Sequence, residues 1–174
     1  PTVTALQDKI TLMEAGVATT AFATGMAAIG TTLFALLRRG DHIICSAFLF
    51  GNSNSLFNSF GVHGIEVTFV DATAAANVAA AIQPNTRLVF VETIANPRTQ
   101  VADLVTIGDL CEQHKLIYCV DNTMTTPYLF RPVTVKASLV MNSLTKYIGG
   151  HGNALGGAVT ETGNYDWAGF DNLY

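Results

Sequence analysis

The chain has 174 residues, of which 49% are hydrophobic and 13% charged, and its formal net charge is −4 at pH 7. This length fits about one domain, and scattered basic residues in an acidic chain argue against a nucleic-acid-binding surface. Its three cysteines, Cys45, Cys111 and Cys119, show neither a CxxC pair nor zinc-ligand spacing, so neither a disulfide framework nor a metal site is expected. These features predict a globular domain of the reducing cytoplasm.

The first elements are predicted to be a helix, a strand and a second helix. Hydrophobic residues recur at helical spacing at Val3, Leu6, Ile10 and Met13. Gly16 lies where a C-cap is expected. The uncharged stretch 15–37 is long enough to cross a bilayer, but eight of its 23 residues are Gly or Thr. We therefore interpret it as a buried strand, a turn at Thr24-Gly25 and a buried helix, and we expect no membrane span.

Strands and helices then continue to alternate. The strand candidates are Val17–Ala23, Ile43–Ala47, Glu66–Val70, Leu88–Val91, Ile117–Val120 and Leu139–Met141. The further helix candidates are Met26–Leu37, Ser53–Phe60, Ala74–Ile82 and Leu104–His114. Strands of nearly continuous hydrophobicity between helices predict an α/β fold with three layers, α/β/α, around a mostly parallel sheet. The tail 149–174 is rich in Gly and aromatic residues, and we predict no clear element after Val159.

Polar residues follow several predicted strands, at the edge where ligands of open parallel sheets bind. Thr24-Gly25-Met26 opens a helix whose free N–H groups could hold a phosphate, although this motif alone favours a simple tight turn. Asp121 ends a hydrophobic strand, where its burial would be costly without a cationic partner; a capping role is the alternative. Lys146 follows Ser143 and Thr145 and precedes glycines.

Lys146 could be a buried amine whose lowered pKa makes it nucleophilic toward carbonyls, or a surface lysine before a flexible loop. Taken together, the three signals fit one cofactor, pyridoxal 5′-phosphate (PLP). An aspartate would keep the pyridine nitrogen protonated, a lysine would bind the aldehyde, and a Gly-helix turn with hydroxyls would hold the phosphate.

Four motifs at these positions resemble the Cys/Met-metabolism family of PLP enzymes, which have fold type I. The matching segments are Ala23-Thr24-Gly25-Met26-Ala27-Ala28-Ile29, Glu92-Thr93-Ile94-Ala95-Asn96-Pro97, Val120-Asp121-Asn122-Thr123 and Ser143-Leu144-Thr145-Lys146-Tyr147. The resemblance implies that Lys146 and Asp121 are catalytic, as the Schiff-base lysine and the pyridine-nitrogen partner. It further implies that the cofactor contacts Gly25, Met26, Phe50, Asn96, Thr123, Ser143 and Thr145.

Phe50 is a departure that bears on the reaction. Leu49-Phe50-Gly51-Asn52 stands where many members have Leu-Tyr-Gly-Gly, so Phe50 can stack on the pyridine ring but lacks a phenol. This favours PLP-dependent γ-replacement on an O-acylhomoserine by sulfide or a thiol, giving homocysteine or a related amino acid. A methionine or cystathionine γ-lyase is the alternative. Asn142 and Asn153 stand where His and Asp are more common, and neither change has a mechanistic interpretation from sequence.

The resemblance also has implications for the length of the chain and for its oligomeric state. Family members are more than twice this length, so residues 1–174 are interpreted as an incomplete PLP-binding large domain lacking the N-terminal arm and the C-terminal domain. Family members share active sites between subunits, which implies a homo-oligomer, a dimer of dimers. A catalytically silent fragment that retains only the cofactor pocket is a further alternative.

Overall fold

The computed structural model describes residues 1–172. Its helices are α1 (Thr2–Glu14), α2 (Gly25–Leu36), α3 (Gly51–Ser59), α4 (Ala75–Ala81), α5 (Leu104–His114) and α6 (Thr126–Leu129). Its strands are β1 (Ala18–Phe22), β2 (His42–Ser46), β3 (Glu66–Val70), β4 (Thr86–Glu92), β5 (Ile117–Asp121), β6 (Leu139–Asn142) and β7 (Gly157–Glu161). Short 3₁₀ turns cover Phe60–His63, Pro132–Val135 and Trp167–Gly169.

The seven strands form one sheet in the order β1-β7-β6-β5-β4-β2-β3. The pairs among β2 to β6 are parallel, whereas β7 runs antiparallel to both of its neighbours, β1 and β6. The predicted mostly parallel sheet and its three layers are confirmed. Because β4, β5 and β6 are adjacent and parallel, their carboxyl ends meet at one edge of the sheet.

Two hydrophobic cores cover the two faces of the sheet. Alternate residues of β4 face opposite sides, with Leu88 and Phe90 in one core and Val89 and Val91 in the other. The first core contains residues of α2 and α3, and the second contains residues of α4 and α5. This burial on both faces explains the continuous hydrophobicity of the strands.

Two sequence expectations need correction. Ala15, with φ 55°, takes the left-handed position at the end of α1, so Gly16 is not the cap. Gly16 is required for another reason: a Cβ there would lie 2.3 Å from Thr160 Cγ2. The tail also has more structure than predicted, because β7 continues to Glu161 and a 3₁₀ turn follows, next to the buried Phe170.

Among residues 1–172, no helix has both the length and the hydrophobicity needed to cross a membrane. The stretch 15–37, which carried that alternative in the sequence, forms β1 and α2. All three cysteines are buried free thiols.

Candidate active site

The predicted site residues gather at the carboxyl ends of β4, β5 and β6. Glu92 and Asp121 end neighbouring strands and are register partners. Ser143 follows β6, and a Cβ built on Gly25 would lie only 2.9 Å from the Ser143 Cβ. The beginning of α2 therefore approaches the end of β6 at the edge that also carries Asp121, and only a residue without a side chain allows this approach.

Asp121 is connected to the β6 end through Thr123. The Thr123 backbone N–H donates to Asp121 Oδ1 at 3.0 Å, and the Ser143 N–H donates to Thr123 Oγ1 at 2.8 Å. Burial raises the pKa of the Asp121 carboxyl, and the hydrogen bonds from Thr123 offset part of that rise. Within residues 1–172, Asp121 forms no salt bridge. A protonated pyridine nitrogen would supply the cationic partner that the position of Asp121 calls for.

Glu92 is a site residue to which the sequence analysis assigned no role. It is 7% exposed, and its two carboxylate oxygens accept hydrogen bonds from the backbone N–H groups of Phe50, at 2.6 Å, and Asn96, at 3.3 Å. Burial and the nearby charge of Asp121 raise its pKa to about 7. Glu92 thus holds the backbones of two loops whose residues were predicted to contact the cofactor. Its position after a buried strand, like that of Asp121, was the available signal.

The start of α2 can accept an anion. Thr24 caps the helix, its Oγ1 accepting a hydrogen bond from the Ala27 N–H at 3.0 Å. The preceding N–H groups, of Gly25 and Met26, have no acceptor within the helix. Gly25 lies next to Ser143. These N–H groups, the positive end of the helix dipole and Ser143 are therefore the candidate phosphate cradle.

The remaining predicted residues lie nearby in different environments. The Thr145 hydroxyl donates to the Gly156 carbonyl at 3.2 Å and accepts from the Gly156 N–H at 3.1 Å, so it already fixes a loop. The Phe50 and Asn96 side chains are exposed. Lys146 is also exposed, so of its two alternatives this structure shows the surface lysine and not the buried amine. Burial of that amine depends on what covers the loop, which local sequence does not encode.

The residues present fit PLP. A half-buried carboxylate without a salt bridge can hold a protonated ring nitrogen, a glycine-opened helix with an adjacent serine can hold a phosphate, and a lysine three residues beyond that serine supplies an amine for an aldehyde. The fold and the site together define a PLP-binding domain of the three-layer α/β/α type.

The comparisons agree with this class. Residues 1–171 match the family described as Cys/Met metabolism PLP-dependent enzyme. The chain belongs to this family, and its cofactor is pyridoxal 5′-phosphate.

Several characterised or named relatives are similar to the chain. It is 40% identical over 161 residues to an L-methionine gamma-lyase of Fusobacterium nucleatum subsp. polymorphum, covering 91% of this chain and 41% of that protein. It is 41% identical over 160 residues to a probable cystathionine gamma-synthase of Herpetosiphon aurantiacus, covering 91% and 50%. It is 38% identical over 169 residues to an O-acetyl-L-homoserine sulfhydrylase of Corynebacterium glutamicum, covering 96% and 39%. The chain therefore spans half or less of these relatives.

A solved structure shows the same fold. The crystal structure of a putative O-acetylhomoserine (thiol)-lyase from Campylobacter jejuni superimposes with a TM-score of 0.87 at 31% identity, covering 90% of this chain and 39% of that one. That structure contains N'-pyridoxyl-lysine-5'-monophosphate. The relatives thus include lyases and sulfur-transferring enzymes of amino-acid metabolism.

Proposed function

We propose that the protein catalyses PLP-dependent γ-replacement on an O-acylhomoserine, with sulfide or a thiol as the incoming nucleophile. The observation that carries this proposal is Phe50, whose backbone Glu92 holds at the edge of the site and whose exposed ring offers no acidic proton. A reaction in which the γ-group leaves without a proton donor suits that ring.

The leaving group explains why this matters. In γ-replacement the bond from Cγ to the acyloxy oxygen breaks, a bond from Cγ to sulfur forms, and the acyl group departs as a carboxylate. A carboxylate is stable without protonation at neutral pH, whereas expulsion of methanethiol from methionine benefits from an acid that protonates the sulfur.

Each site residue has a proposed role. Bound PLP supplies an electron sink for deprotonation at carbon. Asp121 would hold its ring nitrogen protonated, and the Asn96 side chain would donate a hydrogen bond to the ring hydroxyl. Lys146 would bind the aldehyde and then move protons at Cα and Cβ. The phosphate would be held by Gly25, Met26, Ser143 and Thr145, with Thr123 supporting Ser143 through the bond described above.

Two alternatives have specific support. A methionine or cystathionine γ-lyase is favoured by the 40% identity to an L-methionine gamma-lyase. A catalytically silent cofactor domain is favoured by the exposure of Lys146.

Steady-state kinetics distinguish the two reactions. We expect faster turnover of O-acetylhomoserine with sulfide than of methionine alone, and we expect Phe50→Tyr to gain methanethiol release. Phe34→Tyr is the matched control, because Phe34 is 41% exposed against 40% for Phe50 but contacts Phe60 and His63 instead of the strand ends. Efficient methanethiol release by the unmodified protein would establish the lyase alternative, and no turnover of either substrate by a PLP-loaded protein would establish the silent domain.

Peptide mapping after borohydride reduction tests the lysine. We expect the pyridoxyl group on Lys146. Lys136 already pairs with Asp109 and Glu112, at 2.7 and 2.6 Å. A label on Lys136, Lys9 or Lys115 would refute the assignment.

We also propose that a second copy of the chain covers the site edge, in a cytoplasmic homo-oligomer, the dimer of dimers implied by the resemblance. Tyr128 and Leu129, which follow β5, are 89% and 73% exposed, and Tyr147 and Leu155, which follow β6, are 61% and 77% exposed. Large exposed hydrophobic residues grouped after two adjacent strands are typical of an interface. Sedimentation of the unmodified chain and of Leu129→Glu tests this, and a monomer at all concentrations would refute it.

A further inference from the structure

Glu14 is a fully buried carboxylate to which the proposed reaction assigns no role. It is the last residue of α1, and its relative exposure is 0%. A buried carboxylate is tolerated only where hydrogen bonds or charges compensate for lost hydration. Burial raises the pKa of Glu14, while hydrogen bonds from two asparagines and the charge of Arg131 act in the opposite direction.

The two asparagines lie at the ends of β5 and β6, two of the three strand ends that carry the site. Asn122 Nδ2 donates to Glu14 Oε1 at 3.1 Å, and Asn142 Nδ2 donates to the same oxygen at 2.6 Å. Asn122 directly follows Asp121, and Asn142 directly precedes Ser143. One carboxylate therefore ties the segment of the ring-nitrogen partner to the segment of the phosphate and lysine residues.

The network continues toward β4. The Thr125 hydroxyl donates to Asn122 Oδ1, and it is also hydrogen-bonded to the Thr93 hydroxyl at 3.0 Å. Thr93 directly follows Glu92. Asn122 Nδ2 additionally donates to the Phe130 carbonyl at 2.9 Å, so the Asn122 amide is held at both ends. The hydrogen-bond network thus reaches all three strand ends that carry the site.

We propose that Glu14 is a positioning residue of the cofactor site, which fixes the distance between Asp121 and Ser143 by accepting hydrogen bonds from Asn122 and Asn142. The inference rests on the proposed cofactor roles of Asp121 and Ser143. A rigid cofactor must meet the ring-nitrogen partner and the phosphate cradle together, and a small error in their spacing weakens one contact when the other forms. The side chain of Glu14 is not required to touch the cofactor.

Glu14→Gln tests the proposal, because the glutamine side chain has nearly the same shape as that of glutamate. The glutamine oxygen can take the place of Oε1 and still accept from both asparagines, so the variant replaces a charged acceptor by a neutral one. Its NH₂ group takes the place of Oε2, which lies 3.5 Å from Asn122 Nδ2. We expect PLP, titrated by absorbance into the full chain after removal of any bound cofactor, to bind about tenfold more weakly, because a neutral acceptor forms weaker hydrogen bonds than a charged one. Asp8→Asn, on the exposed side of α1, is the matched control and should leave affinity unchanged.

A second control separates positioning from a general loss of stability. Asp41 is buried at the opposite edge of the sheet, where it accepts hydrogen bonds from Arg87 at 3.1 Å and Asn172 at 2.8 Å. Asp41→Asn should lower the Tm without weakening PLP binding more than about twofold. Both variants are titrated at temperatures equally far below their Tm. If Glu14→Gln weakens PLP binding no more than Asp41→Asn does, Glu14 has only a structural role and the proposal is wrong.

An exchange of the two side chains completes the test. In Glu14→Gln with Asn142→Asp, the new amide can donate to the new carboxylate while its oxygen still accepts from Asn122. We expect affinity to recover to within about threefold of the unmodified chain. If Glu14→Gln does not fold, Asn142→Ala is used instead, because it removes only the hydrogen bond between Glu14 and the end of β6. Its loss of PLP affinity is again compared with that of Asp41→Asn. If the unmodified chain binds no PLP, the proposed function fails first, whereas unweakened binding by the variants overturns the role of Glu14 alone.

Discussion

Glu92 should make the protein less stable as pH rises, which is opposite to the effect of a carboxylate in a salt bridge. Its pKa is raised from 4.5 to about 7 in the folded chain, so between these values the folded state holds a proton that the unfolded chain has lost. Because the folded state binds more protons, the free energy of unfolding falls as pH rises through this window. Glu92→Gln removes the titrating group and should remove this part of the fall.

The magnitude follows from the size of the shift. At 1.36 kcal/mol for each pH unit, a rise from 4.5 to about 7 corresponds to about 3 kcal/mol. With a urea m-value of about 2 kcal/mol/M, the unfolding midpoint of Glu92→Gln should move by about 1.5 M relative to the unmodified chain between pH 4.5 and 7.5. Glutamine can still accept from Phe50 but not from both N–H groups, so the variant also has an offset in stability that is independent of pH.

Urea unfolding without cofactor, measured from pH 4.5 to 8, is the assay. The result is the slope, against pH, of the difference in unfolding free energy between Glu92→Gln and the unmodified chain. The pH-independent offset does not change this slope. Asp8→Asn is the control, because it removes an exposed carboxylate of α1 that forms no salt bridge within residues 1–172, and its profile should run parallel to that of the unmodified chain. Parallel profiles for Glu92→Gln and the unmodified chain would show that Glu92 does not hold a proton at neutral pH, and the reasoning on its burial beside Asp121 would fail.

Three further substitutions test the site and the core. Asp121→Asn should leave PLP bound but lower the rate of deprotonation at carbon about a hundredfold or more in stopped-flow spectra, because an amide cannot keep the ring nitrogen protonated. Gly25→Ala should lower the affinity for PLP in absorbance titrations, because its Cβ would lie 2.9 Å from Ser143 Cβ and push the start of α2 away from Ser143. Gly108→Ala should destabilise the chain by about 2 kcal/mol in urea, since a Cβ 2.0 Å from the Val135 carbonyl oxygen outweighs the gain of about 1 kcal/mol in helix propensity, and PLP affinity should not change.

Most of the sheet could be predicted because its strands are buried on both faces and so have a strong local signal. Strand β7 could not be placed in the same way. Its position between β1 and β6 depends on antiparallel pairing with residues about 20 and 140 positions away, such as Val140 and Thr19 with Thr160. The structure of the tail was also underestimated, because Tyr165, Trp167 and Phe170 pack against the first core, which exists only when the sheet is assembled.

The meeting of Asp121, Ser143 and Gly25 could be predicted, because parallel strands bring their carboxyl ends to one edge whatever the details of packing. The burial of side chains around that edge could not. Glu14 ends an amphipathic helix, where a carboxylate is ordinarily solvated, and only the arrival of two asparagines from distant strands makes it a buried acceptor. Lys146 shows the converse: its motif is local, but its exposure depends on what lies over the loop.

The three carboxylates explain why the site is suited to a ligand with a positive ring nitrogen. Burial raises the pKa of both the Asp121 and the Glu92 carboxyl, and the nearby charge of Asp121 raises the pKa of Glu92 further. Within residues 1–172 neither forms a salt bridge. Glu14 accepts hydrogen bonds from the neutral amides of Asn122 and Asn142, and the charge of Arg131 acts on it as well. A cation bound at Asp121 would therefore relieve the repulsion between Asp121 and Glu92 while leaving the Glu14 network unchanged. In the proposed roles, Asp121 supplies the negative charge for the ring nitrogen, whereas Glu14 supplies the hydrogen bonds that fix the distance between Asp121 and Ser143.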